Sequence, residues 1–165
     1  MPMVDALLPE FDHEMTTTRK VLERVPEDKF AWKPHAKSFS LGALAAHVAT
    51  LPTWGEETLT RSEIDIAGGQ PPVAPPSKTE LMATFDKNVA ATRSALAGKT
   101  DAELLATWTL KRHSKAIFSM PKTAVLRSFV LSHLIHHRGQ LCVYLRLLDV
   151  SVPSIYGPSA DEPSF

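Results

Sequence analysis

The segment Ser132-His133-Leu134-Ile135-His136-His137-Arg138-Gly139-Gln140-Leu141 sets three histidines inside the longest apolar helical pattern of the chain. A helix from about Pro121 to Leu148, wound at about 100° per residue, brings Leu126, Val130, His133, His137, Leu141, Tyr144 and Leu148 onto one stripe. His133 and His137 then occupy core positions one turn apart. Two unpaired imidazoles in a core would each cost on the order of 1–3 kcal/mol. Something must sit against them, and a metal ion is the first candidate. The His-x3-His spacing holds the two Cβ atoms about 5–6 Å apart, close enough to share a cation. Alone it is a moderate signal, because helices meet it by chance. No glutamate follows the first histidine, so the zinc-protease pattern His-Glu-x-x-His is absent. His136 points roughly 100° away, toward a neighbouring helix, a subunit interface or solvent.

A metal site in a bundle draws ligands from facing helices. His47 is the best third ligand. It stands in Gly42-Ala43-Leu44-Ala45-Ala46-His47-Val48, among small residues that let helices approach closely. Three neutral imidazoles suit Zn²⁺, Ni²⁺ or Fe²⁺ better than Mg²⁺ or Ca²⁺. Such a triad leaves at least one position for water or substrate, which marks a catalytic rather than a structural site. Taken alone, His47 reads more simply as a buried histidine satisfied by a carbonyl or carboxylate. His13 lies between Asp12 and Glu14, and His35 and His113 fall in expected loops, so all three belong on the surface. Trp32 and Trp54 read as core aromatics rather than substrate platforms. Arg138 reads as the partner of a carboxylate on the first or second helix, and Cys142 as an inert buried thiol.

Four long helical patterns must position these residues. The first carries Val4, Leu8, Phe11, Met15, Thr18, Leu22 and Val25, is started or kinked at Pro9, and ends by Pro26. Residues 33–40 read as a loop. The second opens at Ser38 or Ser40 as N-cap, turns Leu41, Leu44, Val48 and Leu51 inward, and continues past a kink at Pro52 toward Ile64. A Pro-rich stretch follows, from Gly68-Gly69 through Pro71, Pro72, Pro75 and Pro76. The capping box Ser77-x-x-Glu80 opens the third helix, with Leu81, Phe85, Val89, Thr92 and Leu96 on its face and Gly98 closing it. Thr100-x-x-Glu103 caps a short helix, and residues 107–118 fit a small hairpin and an irregular crossover equally. Pro121 suits the first position of the last helix. The turn-rich tail, 152–158, is expected to pack back over the helices. The architecture expected is all-α: a four-helix bundle with a long Pro-rich crossover and an irregular C-terminal tail, in a single domain over residues 1–165.

The totals bound the function. With 18 basic and 18 acidic residues and no basic run, nucleic acid is not the expected partner. No apolar run approaches the ~18–20 residues of a membrane span. Met1-Pro2-Met3-Val4-Asp5 lacks the features of a signal peptide. The single cysteine, Cys142, excludes an internal disulfide framework and fits a reducing cytoplasm. No Gly-rich phosphate loop is present, which sets aside P-loop and Rossmann chemistry.

Several segments, taken in order, resemble the DinB/YfiT-like metalloenzymes, a bacterial superfamily of four-helix bundles. They are Phe30-x-Trp32-Lys33-Pro34, then Lys37-Ser38-Phe39-Ser40-Leu41-Gly42 leading to Ala46-His47, and above all His133-x-x-His136-His137-Arg138-Gly139-Gln140-Leu141 followed by Tyr144-Leu145-Arg146. The ending Pro153-Ser154-Ile155-Tyr156-Gly157-Pro158-Ser159-Ala160-Asp161-Glu162 looks like one subgroup of that family. The resemblance covers nearly the whole chain. It implies a divalent metal, zinc or nickel, held by His47, His133 and His137, with water in the open positions. It also implies a homodimer, for which Phe129, Val143 and Leu147, with His136 among them, offer a second apolar strip. Whether the chain is an enzyme stays open. Some relatives transfer a low-molecular-weight thiol, the metal lowering the thiol pKa and delivering a thiolate to an electrophile. A metal-dependent hydrolase of a small amide or ester is the alternative, with His136 and Glu56 as weak choices of general base. The third reading is a non-catalytic, metal-stabilised stress-response protein. The substrate pocket would be shaped by loops at 30–40, 65–77 and 107–120.

Overall fold

The computed structural model describes residues 1–66, 68 and 71–163, so Gly69 of the Pro-rich stretch lies outside the described residues. Helix α1, Val4–Glu23, continues unbroken through Pro9, which is exposed, and buries Leu7, Phe11, Met15, Thr18 and Leu22 at helical spacing. Helix α2, Leu41–Thr50, starts where the Ser40 hydroxyl accepts from the Ala43 N–H at 3.2 Å. The chain does not bend at Pro52 and carry on to Ile64. It stops at Leu51, restarts as α3, Thr53–Thr60, and becomes strand β1, Glu63–Asp65. Helix α4, Lys78–Leu96, is capped by Ser77, and Gly98 turns the chain out at φ +78°. The short helix α5, Asp101–Leu105, carries a complete capping box between Thr100 and Glu103. The four rods α1, α4, α2 and a last helix described below enclose the main core, each of α1 and α2 touching both of the others.

The all-α expectation is corrected here. Residues 107–121 form a hairpin of β2, Thr107–Arg112, and β3, Lys115–Pro121. With β1 it makes a three-stranded sheet of order β1-β2-β3, in which β1 pairs parallel and β3 antiparallel to β2. The molecule is therefore mostly helical but not a pure four-helix bundle. The hairpin turns at His113 and Ser114, with φ of 48° and 61°, the paired left-handed conformation of a tight two-residue loop. Asp65 steadies it by accepting from the Ser114 N–H at 2.7 Å. Trp108 and Leu110 alternate inward from β2 and build a second, smaller core with Val125. Trp54, Phe118 and Phe129 pack against that core.

Pro121 ends β3 and stands just ahead of the last helix. That helix is one continuous rod in three parts: α6, Lys122–Val125, a π-helical turn, Leu126–Leu131, and α7, Ser132–Leu147. The tail folds back as expected, tied by ion pairs from Arg24 to Glu162 and from Arg146 to Asp161, with Pro153 buried.

Helices α3 and α4 meet at a residue with no side chain. A Cβ on Gly55 would stand 2.4 Å from Thr92 Cγ2, while Thr92 Oγ1 accepts from the Glu56 N–H and donates to the Pro52 carbonyl. Gly55→Ala is expected to lower stability by about 1–3 kcal/mol through overpacking. Adding Thr92→Ser, which keeps the hydroxyl and removes the clashing methyl, should restore most of it. Urea midpoints of the single and double variants check this, and a single variant as stable as wild type would contradict it.

Candidate metal centre

The π-helical turn decides which way the histidines point. At its end the Ser132 N–H bonds back five residues to the Arg127 carbonyl. This wider turn absorbs an extra residue, so the buried stripe passes from Leu126 and Val130 to Leu134, Arg138, Leu141 and Leu145. His133 and His137 are therefore not in the core, as the regular helical count places them. They stand half-buried at the edge of α7, one turn apart, facing α2. His47 arrives there from the last turn of α2, also half-buried.

The three rings converge. One nitrogen from each of His47, His133 and His137 lies within 4.8 Å of the others, and His47 Nε2 stands 3.4 Å from His133 Nε2. Their ring centroids are 4.6–5.2 Å apart. Such a donor set could hold a metal ion. Its electrostatics fit one, because like-charged imidazolium ions cannot crowd together at this distance. Burial, then the neighbouring His137 and His133, pushes the His47 pKa down to about 4. Burial, followed by His137, also lowers His133, partly opposed by a hydrogen bond to the Phe129 backbone. Burial lowers His137. All three are neutral at neutral pH, the form that ligates.

A second layer orients the rings. His137 Nδ1 lies 2.7 Å from Gln140 Oε1, which leaves Nε2 for an ion. Phe129 packs on His133, and Trp54 packs edge-on to Phe129. No role was expected for Gln140; the i, i+3 spacing of His137 and Gln140 is the signal that could have found this partner. Gln140→Ala is expected to weaken metal affinity about 10–100-fold while leaving the fold intact. Competition with a chromogenic chelator reads this, and unchanged affinity would show that the amide does not set the ring.

One cleft touches the triad, and a second opens along α3. The first, of about 210 Å³, is lined by Lys37, Ser38, Phe39, His137, Gln140 and Tyr144. The other, of about 390 Å³, is lined by Thr50, Thr53, Trp54, Glu57 and Ile64. No histidine lines the larger cleft, so the smaller one, which His137 lines, is the mouth of the site. Trp54 is thus a cleft wall as well as a packing residue. Glu57, which the sequence reading did not single out, has Oε2 2.8 Å from Arg61 Nε without the alignment of a hydrogen bond.

Other expectations sort as follows. His136 is exposed, its ring against that of His137 at 4.8 Å, and Glu56 is tied by its backbone to Thr92 and Thr60 and is not among the clustered groups. His13, His35 and His113 are exposed. Arg138 pairs with Glu14 of α1, one of the two partners anticipated. Cys142 is half-buried, and burial raises its thiol pKa. Phe129 does not belong to an outer strip, since it packs inward, whereas Val143 and Leu147 are exposed. Among the described residues no helix is long and apolar enough to cross a membrane.

Comparison with known proteins agrees with this architecture. The uncharacterized protein YrdA of Bacillus subtilis (strain 168) is 25% identical over 162 residues, spanning 96% of this chain and 91% of its own length. The crystal structure of a DinB-like protein from Bacillus cereus superposes with a TM-score of 0.70 at 22% identity, over 92% of this chain and 97% of that one. A second, YjoA of Bacillus subtilis, also a DinB-like protein, gives a TM-score of 0.70 at 18% identity, over 92% and 96%. At these identities the two structures speak for the fold alone. Residues 1–164 match the DinB family model, and the chain belongs to the DinB family.

Proposed function

We propose that this protein is a metal-dependent transferase that joins a low-molecular-weight thiol to a small electrophile, with His47, His133 and His137 holding a divalent zinc or nickel ion. The observation that carries the reading is a half-buried cluster of three imidazoles opening onto a cleft, with no carboxylate among the clustered groups. A bound divalent ion supplies Lewis acidity, which lowers the pKa of a thiol or water placed beside it. The chain's own residues do the rest. Gln140 fixes the His137 ring, and Phe129, backed by Trp54, packs on the His133 ring. The thiol gives its proton to solvent, its sulfur forms a bond to the electrophilic carbon, and the leaving group departs with the electron pair.

Hydrolysis of an amide or ester is the weaker reading, because it asks for a general base next to the triad. Glu56 is not among the clustered groups, and His136, although its ring lies 4.8 Å from that of His137, is exposed to water. A purely structural ion fits less well, since the rings stand at the edge of the bundle beside a cleft. The test is conjugation of a panel of small thiols with a fluorogenic alkyl halide, run with wild type, chelated protein and His47→Ala. Both treatments are expected to reduce turnover to background. Conjugation that survives the loss of metal would refute the reading.

A further inference from the structure

The stretches that build the triad contain no acid. Residues 29–55 and 104–148 hold no aspartate or glutamate, although the chain as a whole has 18. The loop that leads into α2 carries Lys33, His35 and Lys37, all exposed. The cleft beside His137 lies between these stretches and is lined from both, by Lys37 and Ser38 on one side and by His137 and Gln140 on the other.

Three of its polar side chains offer donors. Lys37 brings an ammonium and Ser38 a hydroxyl. Gln140 has its carbonyl oxygen committed to His137 at 2.7 Å, so its amide N–H groups remain for a ligand. A cleft that offers an ammonium and further donors, with no carboxylate side chain in its lining, suits an anion.

We propose that this cleft binds a carboxylate of a small substrate, with Lys37 as its charge partner and Ser38 and the Gln140 amide as hydrogen-bond donors. Where the thiol reading holds, which this step presupposes, the preferred co-substrate is a thiol that itself bears a carboxylate. Lys37 is then a specificity-determining residue. Its exposure makes the contact sensitive to salt.

The experiment uses the full chain loaded with cobalt. The protein is titrated with 3-mercaptopropionate and with the neutral 2-mercaptoethanol, and sulfur-to-cobalt charge-transfer absorption reports thiol binding. The acid is expected to bind about tenfold more tightly, as one partly screened charge-assisted contact would give. Lys37→Met and high salt should both erase that preference. Equal affinity for the two thiols, or a preference that persists in Lys37→Met, overturns the proposal and leaves the thiol reading standing. Absorption from neither thiol defeats the thiol reading, and a second titration then decides the cleft. In metal-free protein, succinate should shift the Gln140 side-chain amide resonances saturably in wild type and not in Lys37→Met. No saturable shift overturns the carboxylate site as well.

Discussion

Purified without a polyhistidine tag, the wild-type chain is expected to carry about one divalent ion, and the His133→Ala/His137→Ala double variant to carry none. Helix α7 supplies two of the three clustered imidazoles and α2 only one, so the double variant leaves His47 alone. A single imidazole does not retain a metal through purification. The substitutions are gentle to the fold, because both histidines stand at the bundle edge while Leu134, Leu141 and Leu145 hold the core. Far-ultraviolet circular dichroism should therefore be unchanged. The wild type should also lose thermal stability on chelation, since an ion that binds only the folded chain stabilises it by about 2.7 kcal/mol at a hundredfold excess over its Kd. The double variant should not respond to the chelator. Metal content by mass spectrometry, with reconstitution in zinc and in nickel, settles the matter. Absence of metal in wild type after both reconstitutions would mean that the rings are merely packed against one another, and the transferase reading would fall with the ion.

How much of this was legible in the sequence follows from the range of each signal. Caps are local: Ser40, Ser77 and Thr100 each place a hydroxyl three residues before the N–H that it accepts, and all three start helices. The pairing of His133 with His137 is also local, one turn of helix apart. His47 is not local to them, and small residues around it, together with the family resemblance, were what pointed to it. The π-helical turn left no trace in composition. It rotates α7 so that Arg138 enters the core and the two histidines turn to the rim, opposite to what a regular 100° count gives. Strand β1 is three residues long and takes its partner from more than forty residues away, so no periodicity could reveal it. The hairpin was half-legible, in the alternation of Trp108 and Leu110, but its choice over a crossover came from Trp108 finding Val125 and Phe118 to pack against. The clefts depend wholly on tertiary placement, which is why Glu57 and the donor set around Lys37 were not anticipated.

Glu14→Ala is expected to be the most destabilising single substitution away from the apolar core, costing about 3–5 kcal/mol, because it strands a charge where water cannot reach. Arg138 is 1% exposed, and its Nη1 lies 2.8 Å from Glu14 Oε2. The same nitrogen donates to the Glu14 carbonyl at 3.2 Å and to Thr18 Oγ1 at 3.1 Å, so α1 supplies every partner of Nη1. Tyr156 closes the network from the tail. Its hydroxyl accepts from Arg138 Nη2 at 2.7 Å and reaches both Glu14 oxygens at 2.8 and 2.9 Å. Burial, then the bond to Glu14, raises the Tyr156 pKa, in keeping with a hydroxyl that stays protonated between its partners. Removing the carboxylate leaves the guanidinium buried with neutral acceptors only, whereas removing both charges does not. Glu14→Leu combined with Arg138→Met should therefore recover most of the loss, as matched apolar replacements of buried pairs do. Tyr156→Phe removes one hydrogen bond and should cost about 1 kcal/mol. Urea unfolding of the four proteins separates these cases. If Glu14→Ala cost no more than Tyr156→Phe, the pair would be solvated in solution, and the tail would not be the cover that keeps this charge beneath the histidine-bearing helix dry.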